Sequence, residues 1–408
     1  MSEKLPDRTI DDPAALSGDV YVQRFSVPFE YPVHFTRRVF HPRNALLADV
    51  LDRLGEGRRH RAAVFVDQGL ADANGLLVNQ VKEYFHEHPA QMELAGAVNL
   101  LPGGPAVKSD YGAVREVLWT IGNLHLDRQS FVIAVGGGSL LDTVGFAASV
   151  AHRGLRLIRV PSTTLAQNDA GVGVKNGMDE HGQKNFLGTF APPFAVVCDF
   201  DLLRTLPWEH WIAGAAEAFK VAVIKDAEFL DFLCTHAKDL RGRDESVMEQ
   251  LVRRCAVLHL EHIRTGGDPF EFGSARPLDF GHWAAHRLEV LSGRRLSHGQ
   301  AVAVGIALDT TYAAGRGMIA PAERDRVLDA MDACGLPTWT ATLAVRTDEG
   351  ELAVLEGIEQ FREHLGGRLN VTLPAGLGHK TEVHHMDAAG IGAAVEFLAR
   401  RAPTRETP

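Results

Sequence analysis

The chain has 408 residues, more than one hydrophobic core usually supports, so two domains are the expectation. Its composition, 45% hydrophobic and 23% charged, is that of an ordinary globular enzyme, and a formal net charge of -10 argues against a nucleic-acid partner. Cys198, Cys234, Cys255 and Cys334 are scattered without metal-type or disulfide-type spacing, the N-terminus lacks a secretory pattern, and no apolar run could span a bilayer. A cytoplasmic protein with no membrane partner is expected.

Residues 1–18 are polar and proline-bearing and read as a loose arm. Apolar and polar residues alternate over 20–26 and 31–35, on either side of 27–30, which predicts a strand pair. Buried-strand runs follow at 62–67, 95–101, 131–135, 155–160 and 194–197, separated by loop or helix-like text. Alternating strands and helices predict an α/β domain over 19–200, a parallel sheet covered on both faces, with ligands at the carboxyl ends of its strands. After Pro207 strand signals nearly vanish. Helical periodicity at 211–224, 246–263, 281–291, 301–316, 322–333 and 352–364 predicts a mainly helical domain over 201–408.

The strand at 131–135 runs into Gly136-Gly137-Gly138-Ser139, then a helix-like stretch carrying Asp142. Strand, glycine turn and helix N-terminus form a cradle for phosphate or a dinucleotide, although such glycines also occur wherever a chain turns tightly. Asp67 closes another strand, and Pro102-Gly103-Gly104 makes a second glycine turn. Glu217 and Lys220 share a face of one helix among small and apolar neighbours, so the acid is expected to be buried and to need a partner. His282 and His286 are four apart on another helix, and His298 begins a third. One acid and two imidazoles make a catalytic metal site with a position left for substrate. Lys175 and the pair Lys184-Asn185 lie by a loop of small residues, 166–174, suited to phosphate. Nucleotide and metal together suggest redox chemistry.

In combination, GGGSLLD at 136–142, the run from 152 to 169, VGVKNG at 172–177, GQKNFLG at 182–188, AGAAEAFK at 213–220, DFGHWAAH at 279–286 and SHGQAVAVG at 297–305 resemble the sugar phosphate cyclases related to 3-dehydroquinate synthase. The resemblance implies a Rossmann-like N-terminal domain joined to a helical metal-binding domain, usually as a homodimer. It implies Glu217, His282 and His298 as ligands of a divalent metal, zinc or cobalt. Asp67, Gly136, Gly137, Gly138, Ser139, Asp142, Thr163 and Lys108 are implied around NAD. Lys175, Asn185, His286, Asp169, Lys184 and Lys220 fall on active-site positions, and Arg153 on an arginine lent to the neighbouring subunit. The implied reaction is oxidation of a C7 sugar phosphate, β-elimination of phosphate, return of the hydride and aldol ring closure.

Some positions depart from the 3-dehydroquinate synthases. His259 stands where they have a substrate-binding lysine, Asp279 where they have asparagine, Pro105 where they have glutamate, and 362–364 where they have a late lysine; Arg276 sits one residue closer to the first metal histidine. Carboxylate recognition needs fixed cations, so a neutral-headed substrate such as sedoheptulose 7-phosphate is expected. His286 is retained where valiolone-forming members often have proline. The iron-type alcohol and polyol dehydrogenases resemble the same two-domain plan and are the alternative.

Overall fold

A computed structural model describes residues 23–181, 183–266, 269–270, 278–293, 295–364 and 366–402. The expected arm at 1–18 and Arg276 lie outside them. Residues 23–30 form a unit of their own, without a strand. From Tyr31 onward the strands are β1 (Val33–Thr36), β2 (His60–Asp67), β3 (Met92–Leu94), β4 (Asn99–Leu101), β5 (Phe131–Gly136), β6 (Arg156–Pro161), β7 (Lys175–Glu180), β8 (Gln183–Phe190), β9 (Ala195–Asp199), β10 (Val371–Pro374) and β11 (Lys380–Val383).

One parallel sheet has the order β1-β9-β6-β5-β2-β3, with β4 also pairing β2. Period-two geometry divides each buried strand between two layers. Ile133 and Val135 face the layer holding Leu51, Val81 and Phe85, whereas Val132 and Ala134 face Val117, Leu140 and Val144. Every β5 side chain is buried, which is why the run lacks polar residues.

The expected strand pair around 27–30 is corrected. β1 pairs in parallel with β9, Val33 opposite Val196, an edge position far away in sequence that local alternation cannot reveal. The expected strand at 95–101 is likewise shortened to β4 at its end, with β3 just ahead of it at Met92–Leu94, because β2 pairs first with β3 and then with β4. The loop at 166–175 holds a π-helical turn, Ala166–Ala170, and leads into the antiparallel hairpin β7-β8.

Past β9, helices Trp208–Lys225, Glu245–Thr265, His282–Leu291, His298–Gly315 and Pro321–Cys334 pack around a core including Trp211, Phe219, Leu251, Trp283 and Leu328. The hairpin β10-β11 and helix Ala388–Arg401 are additions that the sequence patterns did not announce. No helix among the described residues is long and apolar enough to cross a membrane.

Candidate metal and dinucleotide site

The carboxyl ends of β2, β4 and β5 converge on one crowded point. A side chain at Gly103 would lie 2.2 Å from Asp67 Oδ2 and force it aside, and one at Gly136 would lie 3.0 Å from Asp67 Cβ and crowd it. Asp67 itself accepts from Leu70 N at 3.2 Å and caps the following helix. Helix Gly138–Val150 starts at Gly137 with no side-chain cap and no acid in its first turn. Its N-terminal amides are thereby available to a diphosphate, as the dinucleotide cradle requires. Ser139 lies in that first turn, and Lys108 Nζ joins Asp142 Oδ2 at 2.7 Å to Asn185 Oδ1 at 2.5 Å.

Segment 163–170 ties this turn to the helical half. A Cβ on Gly137 would sit 3.2 Å from Thr163 Cγ2, and one on Gly138 would sit 3.5 Å from Ala170 Cβ. Asn168 Nδ2 donates to Gly214 O at 2.7 Å, Thr164 Oγ1 to His210 O at 2.9 Å, and Asp169 lies 3.5 Å from Lys220 Nζ.

Glu217, His282 and His298 come together with one donor atom each within 4.8 Å of the others. Glu217 Oε1 is buried without a hydrogen-bond partner, 3.8 Å from His282 Nε2 and 3.6 Å from His298 Nε2. The outer ring nitrogens are engaged. His282 Nδ1 lies 3.1 Å from Phe280 O, which can only accept, and His298 Nδ1 lies 2.9 Å from Glu289 Oε1. Each outer partner fixes an N–H on Nδ1 and leaves an Nε2 lone pair for the shared point, the arrangement a divalent cation needs.

Electrostatics agree with this geometry. Burial would raise the Glu217 carboxyl, but the adjacent Lys220 ammonium together with His298 and His282 holds the acid at about 2. Burial lowers His282, aided by Lys220. His286 is pushed well down by burial and by His282, His298 and Lys184 around it, so its imidazole is neutral. Burial opposes protonation of His298 as well, yet Glu217 and Glu289 raise it to about 9. A proton on His298 therefore competes with the cation.

Helix packing delivers these ligands. Gly281, at φ +78°, abuts Gly305, where a side chain would meet Gly281 O at 2.0 Å. Asp309 Oδ2 accepts from Gly281 N at 3.0 Å and Oδ1 from Trp283 Nε1 at 2.9 Å, bracketing His282. Ser297 and Gln300 form a capping box that starts the helix at His298.

Of the other expected site residues, Lys175 opens β7 and Lys184 and Asn185 lie on β8. His286 stands 5.6 Å from His282 and 6.2 Å from His298, ring centre to ring centre. His259 Nδ1 faces Asp169 Oδ1 at 3.1 Å. Arg153, exposed and at φ +65°, is not hydrogen-bonded to this cluster, and Arg362 pairs instead with Glu359. Sequence reasoning missed Glu289, Asp309 and Arg159. Glu289 follows His282 by seven residues, two turns along the same helical face, which was the available signal. Arg159 is fully buried and donates to the carbonyls of Gly171, Gly173 and Lys175, anchoring the entry to β7.

The 3-dehydroquinate synthase N-terminal model matches residues 99–213 and the C-terminal model residues 214–353. A 2-epi-valiolone synthase of Actinosynnema mirum is 34% identical over 88% of this chain and 89% of its own length. A 3-dehydroquinate synthase of Xylella fastidiosa is 35% identical over 74% of this chain and 81% of its own. A solved 2-epi-5-epi-valiolone synthase from Streptomyces hygroscopicus, with NAD+ and Zn2+ bound, is 29% identical, superposes with a TM-score of 0.82, and covers 94% of this chain and 100% of that one. Matching models over most of the chain, and relatives at this identity along its length, place the protein in the 3-dehydroquinate synthase family of sugar phosphate cyclases.

Proposed function

We propose that the protein is an NAD- and metal-dependent cyclase of a C7 sugar phosphate with a neutral head group, of the sedoheptulose 7-phosphate kind. The observation that carries this reading is the Glu217, His282 and His298 cluster, whose two imidazoles have outer partners that aim both Nε2 atoms at one unpartnered carboxylate oxygen. When bound, NAD would supply a reversible hydride acceptor and the metal a Lewis acid for the substrate hydroxyl.

The chain's own groups do the rest. Asp67, Gly136, Gly137, Gly138, Ser139, Asp142, Thr163 and Lys108 bind the dinucleotide. Lys220 keeps Glu217 ionised, and His286, 5.6 Å from His282 ring centre to ring centre, is placed to assist proton movement. Elimination takes a proton from the carbon beside the new ketone and expels phosphate from the next carbon; Lys175 and Asn185 orient that phosphate, with Arg153 from a second subunit of a homodimer. Asp169 and Lys184 position Lys220 and Glu289 respectively. The α/β domain over 19–200 and the helical domain over 201–408 divide the dinucleotide from the metal.

The charge pattern supports the neutral head. Lys220 is held by Glu217 and Asp169, Lys184 by Glu289, and His259 by Asp169, while Asp279 adds a negative charge near His282. A substrate carboxylate would meet acids there, whereas hydroxyl groups can donate to them. The test is release of inorganic phosphate from a panel of C7 sugar phosphates, with absorbance of NADH followed in parallel. Phosphate should appear from sedoheptulose 7-phosphate without net NADH. Turnover of the heptulosonate phosphate alone would reject the neutral head, and NADH accumulating without phosphate would reject the cyclase.

A further inference from the structure

Glu289 is buried, comes from neither glycine turn nor the ligand set, and uses its two oxygens on different parts of the molecule. Oε1 meets His298 Nδ1 at 2.9 Å, and Oε2 pairs with Lys184 on β8, 105 residues away in sequence. His298 is partly exposed and begins its helix, so its ring has no packed wall on every side to fix its orientation. The carboxylate supplies that restraint. Ser292, one turn on, holds the loop that follows by accepting from Leu296 N at 3.2 Å, so Glu289 and the approach to His298 are built as one piece.

We propose that Glu289 is a positioning residue for the metal site: it fixes the tautomer and orientation of His298 and, through Lys184, anchors the β7-β8 hairpin to that ligand. The inference rests on the metal-site reading above. An outer carboxylate raises the basicity of a ligating imidazole and holds its ring, and loss of such a partner typically weakens metal binding by about 10–100-fold. Lys184 contacts only the far oxygen, so its removal leaves the His298 bond in place.

The experiment measures affinity for Co2+ and Zn2+ by chelator competition, together with the visible absorption of the Co2+-loaded protein, in wild type, Glu289→Ala, Glu289→Gln and Lys184→Ala. None of these readouts needs substrate. Glu289→Ala should bind metal about 10–100-fold more weakly and shift the Co2+ bands. Glu289→Gln, whose amide oxygen can still accept from Nδ1, should lose less, and Lys184→Ala, which leaves the Oε1 contact with Nδ1 in place, should lose less than Glu289→Ala. Wild-type affinity and bands in both folded Glu289 variants would overturn the proposal while leaving the metal site standing. An equal loss in Lys184→Ala would overturn it too, by showing that the hairpin and not the imidazole contact matters. Failure of the wild-type protein itself to take up metal would instead overturn the metal-site reading on which the proposal stands.

Discussion

Glu217 concentrates the chemistry of the molecule in one side chain. It is fully buried, pairs with Lys220, and turns its other oxygen toward two imidazoles. Glu217→Ala should abolish stoichiometric metal binding and phosphate release together while leaving NAD affinity near wild type, because the glycine turn lies on other elements. The same change strands the Lys220 ammonium with Asp169 as its remaining acid, at 3.5 Å. Breaking a buried pair by removing one partner costs about 3–5 kcal/mol, and Asp169 should keep the cost at the lower end. The double variant Glu217→Ala, Lys220→Met should regain stability without regaining metal, as measured by urea unfolding and metal analysis. Phosphate release at the wild-type rate in Glu217→Ala would remove it from the ligand set.

At the scale of elements, Asp309 joins the helices that carry His282 and His298 and has a pH signature. Burial raises its carboxyl to about 7 from an ordinary aspartate value of 3.8, against the opposing bonds from Trp283 and Gly281. The folded protein therefore keeps this proton over a range in which the unfolded chain has released it. With more protons bound in the folded state, stability falls as pH rises from about 4 to about 7, by about 1.4 kcal/mol per unit from this group alone. Glu217 and Asp169, both depressed, are ionised in folded and unfolded chains across most of that window and add little slope. Urea midpoints of Asp309→Asn should consequently gain on the wild type as pH rises through this range; a constant difference would show that Asp309 is ionised throughout.

These elements also show what the amino-acid order conveys. Ligand helices were legible because i to i+3 and i to i+4 spacing puts Glu217 with Lys220 and His282 with His286 without tertiary knowledge. The central strands were legible because burial on both faces leaves long apolar runs. The β7-β8 hairpin was not, since KNGMDE and QKNFLGTF are mostly polar, and the core face that Met178 and Leu187 supply is shared with the buried polar Asn176. Helix Ala388–Arg401 was masked by Gly390 and Gly392, and the link from Glu289 to Lys184 spans a contact that only the folded chain makes.

Across the whole molecule, the parallel sheet sets a limit on what one subunit can do. Its glycine turn follows β5, and the helix Gly138–Val150 carries the chain away from that turn before Arg153. Thirteen residues at about 1.5 Å each make a helix about 20 Å long, which an arginine side chain cannot span back to its own glycine turn. Arg153 is exposed, left-handed in its backbone and adjacent to left-handed His152, just before β6 begins at Arg156. This separation from its own glycine turn fits the proposed role of Arg153 at the site of a second copy of the chain. Mixing makes this decisive. In the proposed homodimer, Arg153→Ala and Glu217→Ala should each be inactive alone, but a reassorted mixture would contain heterodimers in which an intact metal site receives Arg153 from the Glu217→Ala subunit. One site in two is then complete in half of the dimers, so phosphate release should recover to roughly a quarter of the wild-type rate. Recovery requires subunit exchange and should vanish when the two dimers are crosslinked before mixing; full activity of Arg153→Ala alone would show that each subunit completes its own phosphate site.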